Sequence, residues 1–507
     1  MGDITDPIAI EGQTCWRRAH ADKATLVVDA QDYFLLAARM MRMARRRTII
    51  IGWDFDTRIR LEQEGPKHQA PTLGEFILSL ARERPELEIR ILRWDFGAFR
   101  SIRRGSMIFD LARWRMQRNI RMRFDGAHPA GCSHHQKILI IDDDLAVCGG
   151  IDMTGNRWDT RDHLPDDPRR TRPGGEPYPP WHDATMIATG EVALAISELA
   201  RTRWFVATGE RLPSVAQHGV LWPDDLTPDF EDVTFAIART IAPWRDNQPV
   251  HEVEALHLAT IARATRTIYA ENQYFTSPRI AAALVERMKA VPELEMVLVT
   301  PLTADGWLEK KAMDGARVRL VNAIQREVGP DRFRVLYPVN AVGDAIYVHA
   351  KITIVDDQVL RIGSANLNNR SMALDSECDL MLETNGEPAL VECVLAIRDR
   401  LIAEHTGSTQ DAVSAAIAAH DGSLIRAIGS LTCGGRSLVP LPLDPPKGVE
   451  AVIADNELLD AESPDMMFEV FSRRRRLIRR YRAIRGGVRR RFERSRQRSG
   501  RKSGTDR

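Results

Sequence analysis

Residues 135–152, HQKILIIDDDLAVCGGID, align without gaps on residues 349–366, HAKITIVDDQVLRIGSAN, with seven identities in eighteen positions. The shared residues are His135/His349, Lys137/Lys351, Ile138/Ile352, Ile140/Ile354, Asp142/Asp356, Asp143/Asp357 and Gly149/Gly363. A segment that recurs in this way within one chain reads as a duplicated unit. Each copy opens with a histidine and a lysine at the head of an apolar run, which puts ionisable side chains into what reads as a buried strand. A buried lysine is costly unless an anion satisfies it. Two such strands facing one another would therefore build an anion-seeking cleft.

The surroundings of the two copies repeat as well. Strand-like runs at 48–55, 87–96, 120–126 and 135–142 are interleaved with helical patterns at 32–47 and 73–84. The second half offers strands at 267–275, 294–301, 333–339 and 347–356, with a helix at 279–291. Strands alternating with helices predict an α/β fold with a mixed sheet flanked by helices. The expected organisation is a first lobe over 1–210, a linker over 211–230, a second lobe over 231–405, an extension over 406–472 and an Arg-rich tail over 473–507. The Pro- and Gly-rich stretch 170–181, RTRPGGEPYPPW, reads as a surface loop.

Composition excludes several classes. With 507 residues and 44% hydrophobic content, the chain can bury more than one core. No apolar run approaches the roughly 20 residues that cross a bilayer, and the opening MGDITDPIAIEG is acidic where a secretory signal would be basic and then apolar. Six scattered cysteines without CxxC pairs suit reduced thiols. A cytoplasmic protein is expected, peripheral at most on the inner membrane face. The net charge of +1 hides a division. Residues 473–507 carry sixteen arginines and one lysine against Glu493 and Asp506, a net of +15, while the other 472 residues carry 54 basic and 68 acidic side chains, a net of −14. Such a tail is suited to an anionic surface, lipid or nucleic acid, or to solvation as a disordered extension.

In a regular strand His135 and Lys137 share a face, as do His349 and Lys351. The candidate catalytic set is His135, Lys137, Asp142, His349, Lys351 and Asp356, with the aspartates read as organisers of a hairpin turn more than as proton carriers. A phosphate diester fits the chemistry: ammonium groups hold its oxygens, one imidazole attacks phosphorus, and the other protonates the leaving alcohol. Such a scheme requires no metal and no cofactor, because the lysines supply the positive charge. Gly149 and Gly363 are expected to let backbone N–H groups approach the phosphate, with Ser364 and Asn366 as further donors. Asp152, which stands where the second copy has Asn366, would repel phosphate and is expected to bond backbone or a lysine instead. His134 is read as structural, and His182 as a packing residue in preference to a member of the cleft rim.

These motifs, HxKxxxxD followed by GxxN and present twice, resemble the phospholipase D superfamily. GGIDMTGNRWD (149–159), PWHDA (180–184), ENQYF (271–275) and residues 346–377 look like its phospholipase D branch, and the similarity covers roughly residues 30–405. The resemblance implies two lobes related by a pseudo-twofold axis, with the active site at their interface. It implies His135 as nucleophile, His349 as acid and base, and a downstream acidic residue orienting each imidazole. Glu377 matches that pattern for His349; for His135 the best matches are Asp166 and Asp167. The implied substrate is a phospholipid, converted to phosphatidic acid by a chain that is active as a monomer. The other enzyme readings are a cardiolipin-synthase-like transferase, disfavoured by ENQYF and by the lack of N-terminal membrane helices, and a nuclease. Nucleic acid is disfavoured because only Tyr481 and Phe492 interleave the tail's arginines. A non-catalytic lipid-binding scaffold is disfavoured by two intact motifs.

Overall fold

A computed structural model describes residues 7–63, 70–95, 107–215, 219, 221–304, 313–431 and 435–444. The Arg-rich tail at 473–507 and the expected extension beyond residue 444 lie outside the described residues. The first half contributes β1 (Arg17–Val28), β2 (Arg47–Gly52), β3 (Glu88–Trp94), β4 (Ile120–Asp125), β5 (Ile138–Ile141), β6 (Leu145–Gly149), β7 (Trp181–His182) and β8 (Ala184–Thr189). The second half contributes β9 (Phe230–Ile241), β10 (Val250–His251), β11 (Thr267–Asn272), β12 (Glu295–Val299), β13 (Phe333–Val339), β14 (Tyr347–Val348), β15 (Lys351–Val355), β16 (Val359–Gly363), β17 (Glu377–Glu383) and β18 (Ser437–Pro440).

All but β7 and β14 join one mixed sheet. From one edge its order is β4-β3-β2-β5-β6-β8-β1, and from the other, inside the added edge strand β18, it is β13-β12-β11-β15-β16-β17-β9. The two orders correspond strand for strand, as a duplication requires. They meet at an antiparallel join of β1 with β9, in the register Ala19↔Phe235 and Lys23↔Glu231. Neither of these twelve-residue strands shows in the sequence patterning, because unburied charged residues stand at or next to the start of each, Arg17 and Arg18 in β1 and Glu231 and Asp232 in β9.

Helices cover both faces, which is why the central strands read as continuous apolar runs and not as alternating ones. Ile138 and Ile140 of β5 enter a core that spans both halves and includes the helices Glu191–Thr208 and Pro388–Thr406. Leu139 and Ile141 point oppositely, into a first-half core under the helices Ala30–Met43 and Leu73–Glu83. The second-half counterpart lies under Glu252–Arg263, Pro278–Ala290 and Gly315–Val328.

The hairpins between β5 and β6 and between β15 and β16 turn on paired aspartates in the left-handed region, Asp142 and Asp143 at φ 53° and 59°, Asp356 and Asp357 at φ 52° and 59°, a conformation that Asp tolerates better than most residues. The motif carboxylates do not bond within their own turns, however. Asp142 accepts from the backbone N–H groups of Arg46 (2.7 Å) and Arg47 (2.6 Å), and from that of Arg45. Asp356 does the same for Arg266 (2.7 Å) and Thr267 (2.8 Å). Each clamps the start of the neighbouring strand, at the end of β5 or β15 opposite the motif histidine. The structure thus removes Asp142 and Asp356 from the candidate catalytic set. Replacing Asp142 with Asn leaves buried donors unmet and should cost about 3 kcal/mol, measured as a lowered urea midpoint, with the histidine site unchanged.

Candidate active site

His135 and Lys137 lie just ahead of β5, whose regular pairing begins at Ile138, while Lys351 opens β15 and His349 precedes it. Each motif histidine is tied to the opposite half. The N–H of His135 donates to the carbonyl of Ser376 (2.9 Å), and that of His349 to the carbonyl of His182 (2.7 Å). Both imidazoles line one cavity of about 490 Å³, together with Trp53, Trp94, Trp181 and Tyr274. The Trp181 ring stacks on Tyr347 at 4.5 Å between centroids and lies 5.3 Å from His349, with the Arg157 guanidinium 4.2 Å from the centre of the same indole.

The orienting carboxylates also cross between halves. Glu377 lies 3.1 Å from His135 Nδ1, which is also 3.0 Å from the carbonyl oxygen of Ser364. Asp183 Oδ2 lies 2.7 Å from His349 Nδ1. Each carboxylate leaves Nε2 as the ring nitrogen available to the cavity. Two expectations are overturned here. Glu377 serves His135 and not His349, and Asp166 and Asp167 serve neither histidine: Asp166 is exposed, and Asp167 is held by Arg169 at 2.7 Å.

Asp183 was the residue that sequence reasoning missed, although it sits in the quoted PWHDA. The signal that finds it is strand register. Gly149 pairs with Thr185 and Gly363 with Asp379, so Asp183 and Glu377, each two residues upstream of those partners, are equivalent. Unequal spacing hid the equivalence, since Asp183 follows its motif histidine by 48 residues and Glu377 by 28.

The glycines do not cradle a ligand. A Cβ on Gly149 would stand 2.4 Å from Thr185 Cα, and one on Gly363 would stand 1.9 Å from Asp379 Oδ1, so they permit close strand approach. At the next position the halves differ. A Cβ on Gly150 would meet Asp183 Oδ1 at 2.0 Å, whereas Ser364 donates its hydroxyl to Glu377 at 2.5 Å. Ser364 is therefore committed to the carboxylate and not to phosphate. Ser371 donates to the other oxygen of Glu377 at 2.7 Å. Of the expected phosphate donors, Asn366 lines the cavity, and its Oδ1 has no hydrogen-bond partner among the described residues.

The lysines are buried behind the histidines. Lys137 Nζ donates to the carbonyl of His135 (2.7 Å) and lies 3.4 Å from Asp152 Oδ2. Asp152 also accepts from the Trp53 N–H at 2.9 Å, the backbone-and-lysine arrangement expected of it. Lys351 donates to the carbonyl of His349 and to Gln273 Oε1 (3.2 Å). With no carboxylate in the place of Asp152, burial brings the Lys351 ammonium down to about 7. Burial, reinforced by Lys137 and Lys351, holds the His135 imidazole well below its ordinary range, and the same forces with Arg157 act on His349. His134 turns away, bonded to Ser376 Oγ (2.9 Å) and paired with Asp125 (3.1 Å), and burial brings it to about 4. His182 is not a rim residue: it is fully buried, packed edge-on against the rings of His163 and His405 and paired with the carboxylates of Asp29, Glu271 and Glu404.

The family model described as "Cardiolipin synthase, PLD-like domain" matches residues 257–396. Phospholipase D A of Dictyostelium discoideum is 24% identical over 460 residues, covering 75% of this chain and 35% of that protein. Phospholipase D1 of Schizosaccharomyces pombe is 24% identical over 376 residues, 55% of this chain and 28% of its own length. The chain thus spans about a third of these relatives. Cardiolipin synthase A of Pseudomonas putida is 26% identical over 262 residues, 52% of this chain and 46% of that protein. Among solved structures, phosphatidylserine synthase of Haemophilus influenzae shares the fold at a TM-score of 0.50 and 13% identity, over 76% of this chain and 87% of the other. The chain thus carries a match to a PLD-like domain and is similar in sequence to phospholipases D, with two complete motifs whose histidines line one cavity.

Proposed function

We propose that the chain is a phospholipase D that hydrolyses the headgroup ester of glycerophospholipids to phosphatidic acid. The reading is carried by two imidazoles on one cavity, each held through Nδ1 by a carboxylate and backed by a lysine. The phosphodiester's negative charge offsets the burial and the cations that depress His349, so that His349 enters the reaction protonated on Nε2. His135 Nε2 attacks phosphorus and forms a P–N bond as the bond to the headgroup oxygen breaks, and His349 gives that oxygen its Nε2 proton. His349 then takes a proton from water, whose oxygen attacks phosphorus, releases phosphatidic acid and restores His135. Glu377 stabilises the positive charge that His135 gains on attack, and Asp183 does so for protonated His349. The two lysines bias the cavity toward an anion. Walls of tryptophan and tyrosine suit an amphiphilic substrate.

A transferase reading shares the first half of this reaction and differs only in replacing water with an alcohol acceptor. It is favoured by the family model's description and by the Pseudomonas relative. Phosphatidylcholine offered with and without glycerol or phosphatidylglycerol separates the two by product. Among the described residues no helix is long and apolar enough to cross a membrane. In this reading the tail at 473–507, with its net +15, holds a cytoplasmic, monomeric enzyme on anionic lipid.

Ala at His135 or at His349 should each lower turnover by about a thousandfold or more without unfolding the chain. Quenching in alkaline detergent during turnover should trap a phosphatidyl adduct on His135, since a P–N bond survives base and not acid; an adduct mapped to His349 would reverse the assigned roles. Because Lys351 titrates near 7 and its charge is required, kcat/KM on a soluble short-chain substrate should decline above about pH 7. The limb in kcat should lie higher, since bound phosphate stabilises the ammonium. A kcat/KM profile flat to pH 9 would remove Lys351 from the mechanism. Deleting 473–507 should weaken sedimentation with phosphatidate vesicles while leaving short-chain hydrolysis intact.

A further inference from the structure

A second cluster of ionisable groups lies outside the cavity, buried where the halves meet. Asp29, His163, His182 and Glu404 each bring one ligating atom within 4.8 Å of the other three. Their side chains are at most 1% exposed. His163 Nε2 stands 3.6 Å from Asp29 Oδ2 and 3.4 Å from Glu404 Oε1, and His182 Nδ1 stands 2.8 Å from Glu404 Oε1. None of these four atoms has an aligned hydrogen-bond partner among the described residues. A tetrahedral zinc ion bound at 2.0–2.2 Å to N and O ligands sets those ligands about 3.4 Å apart; the two contacts of His163 Nε2 match that spacing, and side-chain adjustments within the 4.8 Å cluster would bring the other pairs to it.

The remaining atoms of the four side chains are already held. His163 Nδ1 bonds Asp159 Oδ2 at 3.0 Å, and His182 Nε2 bonds Glu271 Oε2 at 2.7 Å. Arg161 donates to Glu404 Oε2 at 2.7 Å, and Asp29 Oδ1 accepts from the Asp183 N–H at 3.1 Å. A carboxylate behind each imidazole favours the far nitrogen as an N–H, so that a neutral ring would present its inward lone pair to an ion, the outer shell typical of histidine metal ligands. Two imidazoles and two carboxylates gathered in a dry core are neutralised either by protonating both imidazoles or by a divalent cation that takes the place of those two protons.

We propose that Asp29, His163, His182 and Glu404 bind a structural divalent cation of the zinc type. Three ligands come from the first half, and Glu404 comes from the last turn of Pro388–Thr406 in the second, so the ion fastens the halves together. It also braces the reacting histidine's support. The carbonyl of His182 accepts from the His349 N–H, and Asp29 exchanges two backbone-directed bonds with Asp183, the residue that orients His349. All four positions of a tetrahedral ion are filled by protein, so the ion does not meet substrate.

The test is metal analysis of the full chain, expressed without an affinity metal and purified without chelator. About one equivalent of zinc is expected, with a thermal midpoint that falls after unfolding and refolding in dipicolinate and recovers when Zn2+ is present during refolding. E404Q and H163Q should each lose the metal and abolish that Zn2+ response. Should either variant fail to fold, the wild-type metal content and refolding response decide alone. Less than a tenth of an equivalent of any transition metal, together with a midpoint that Zn2+ does not move, overturns the proposal and leaves both histidines as imidazoliums neutralising the carboxylates.

Discussion

The bonds from His135 to Glu377 and from His349 to Asp183 both cross from one half of the chain to the other, and the site has no meaning without them. A half taken alone would carry an imidazole with no carboxylate to set its tautomer and a buried carboxylate with no imidazole to answer it. Leaving such a group unpaired is far more costly than the pair is stabilising. The two halves are therefore bound to each other by the same atoms that do the chemistry. The backbone repeats the exchange, since each motif histidine donates its N–H to the carbonyl just ahead of its partner carboxylate.

Strand continuity makes that exchange geometrically secure. The antiparallel join of β1 and β9 merges both halves into one sheet buried on two faces, so neither half slides without breaking a ladder and exposing core. The motif aspartates extend the rigidity sideways by gathering the backbone N–H groups that open β2 and β11. A charged residue in a recurrent catalytic motif is easily read as a reacting group. Here its distance along the strand from the histidine and its saturated acceptors make it a fastening.

Much of the fold was legible. The helices at Ala30–Met43, Leu73–Glu83 and Pro278–Ala290 and the eight strand runs at the outer and motif positions follow from apolar periodicity. The central strands β1 and β9 escaped because their charged ends look like loop, and only pairing across the halves makes them strands. At the site, the two HxK pairs could be read from repetition. The carboxylate partners could not, because a within-half search assumes that each imidazole finds its acid nearby in sequence. Gly149 and Gly363 misled for a related reason: a small residue beside a motif suggests a ligand, while here the crowding comes from the next strand.

The stretch between the motif glycine and the orienting carboxylate is twenty residues longer in the first half than in the second, yet Asp183 and Glu377 occupy matched places. Their location is decided by β8 and β17, so the intervening chain is free to lengthen at no cost to the reacting pairs. That freedom was used: the longer version brings Asn156, Arg157 and Trp181 to the cavity wall and Asp159 and His163 to the interior. Copying a unit and then lengthening one connection is thus a route by which a symmetric cleft acquires a distinct left and right, allowing new preferences to arise while the reaction centre stays untouched.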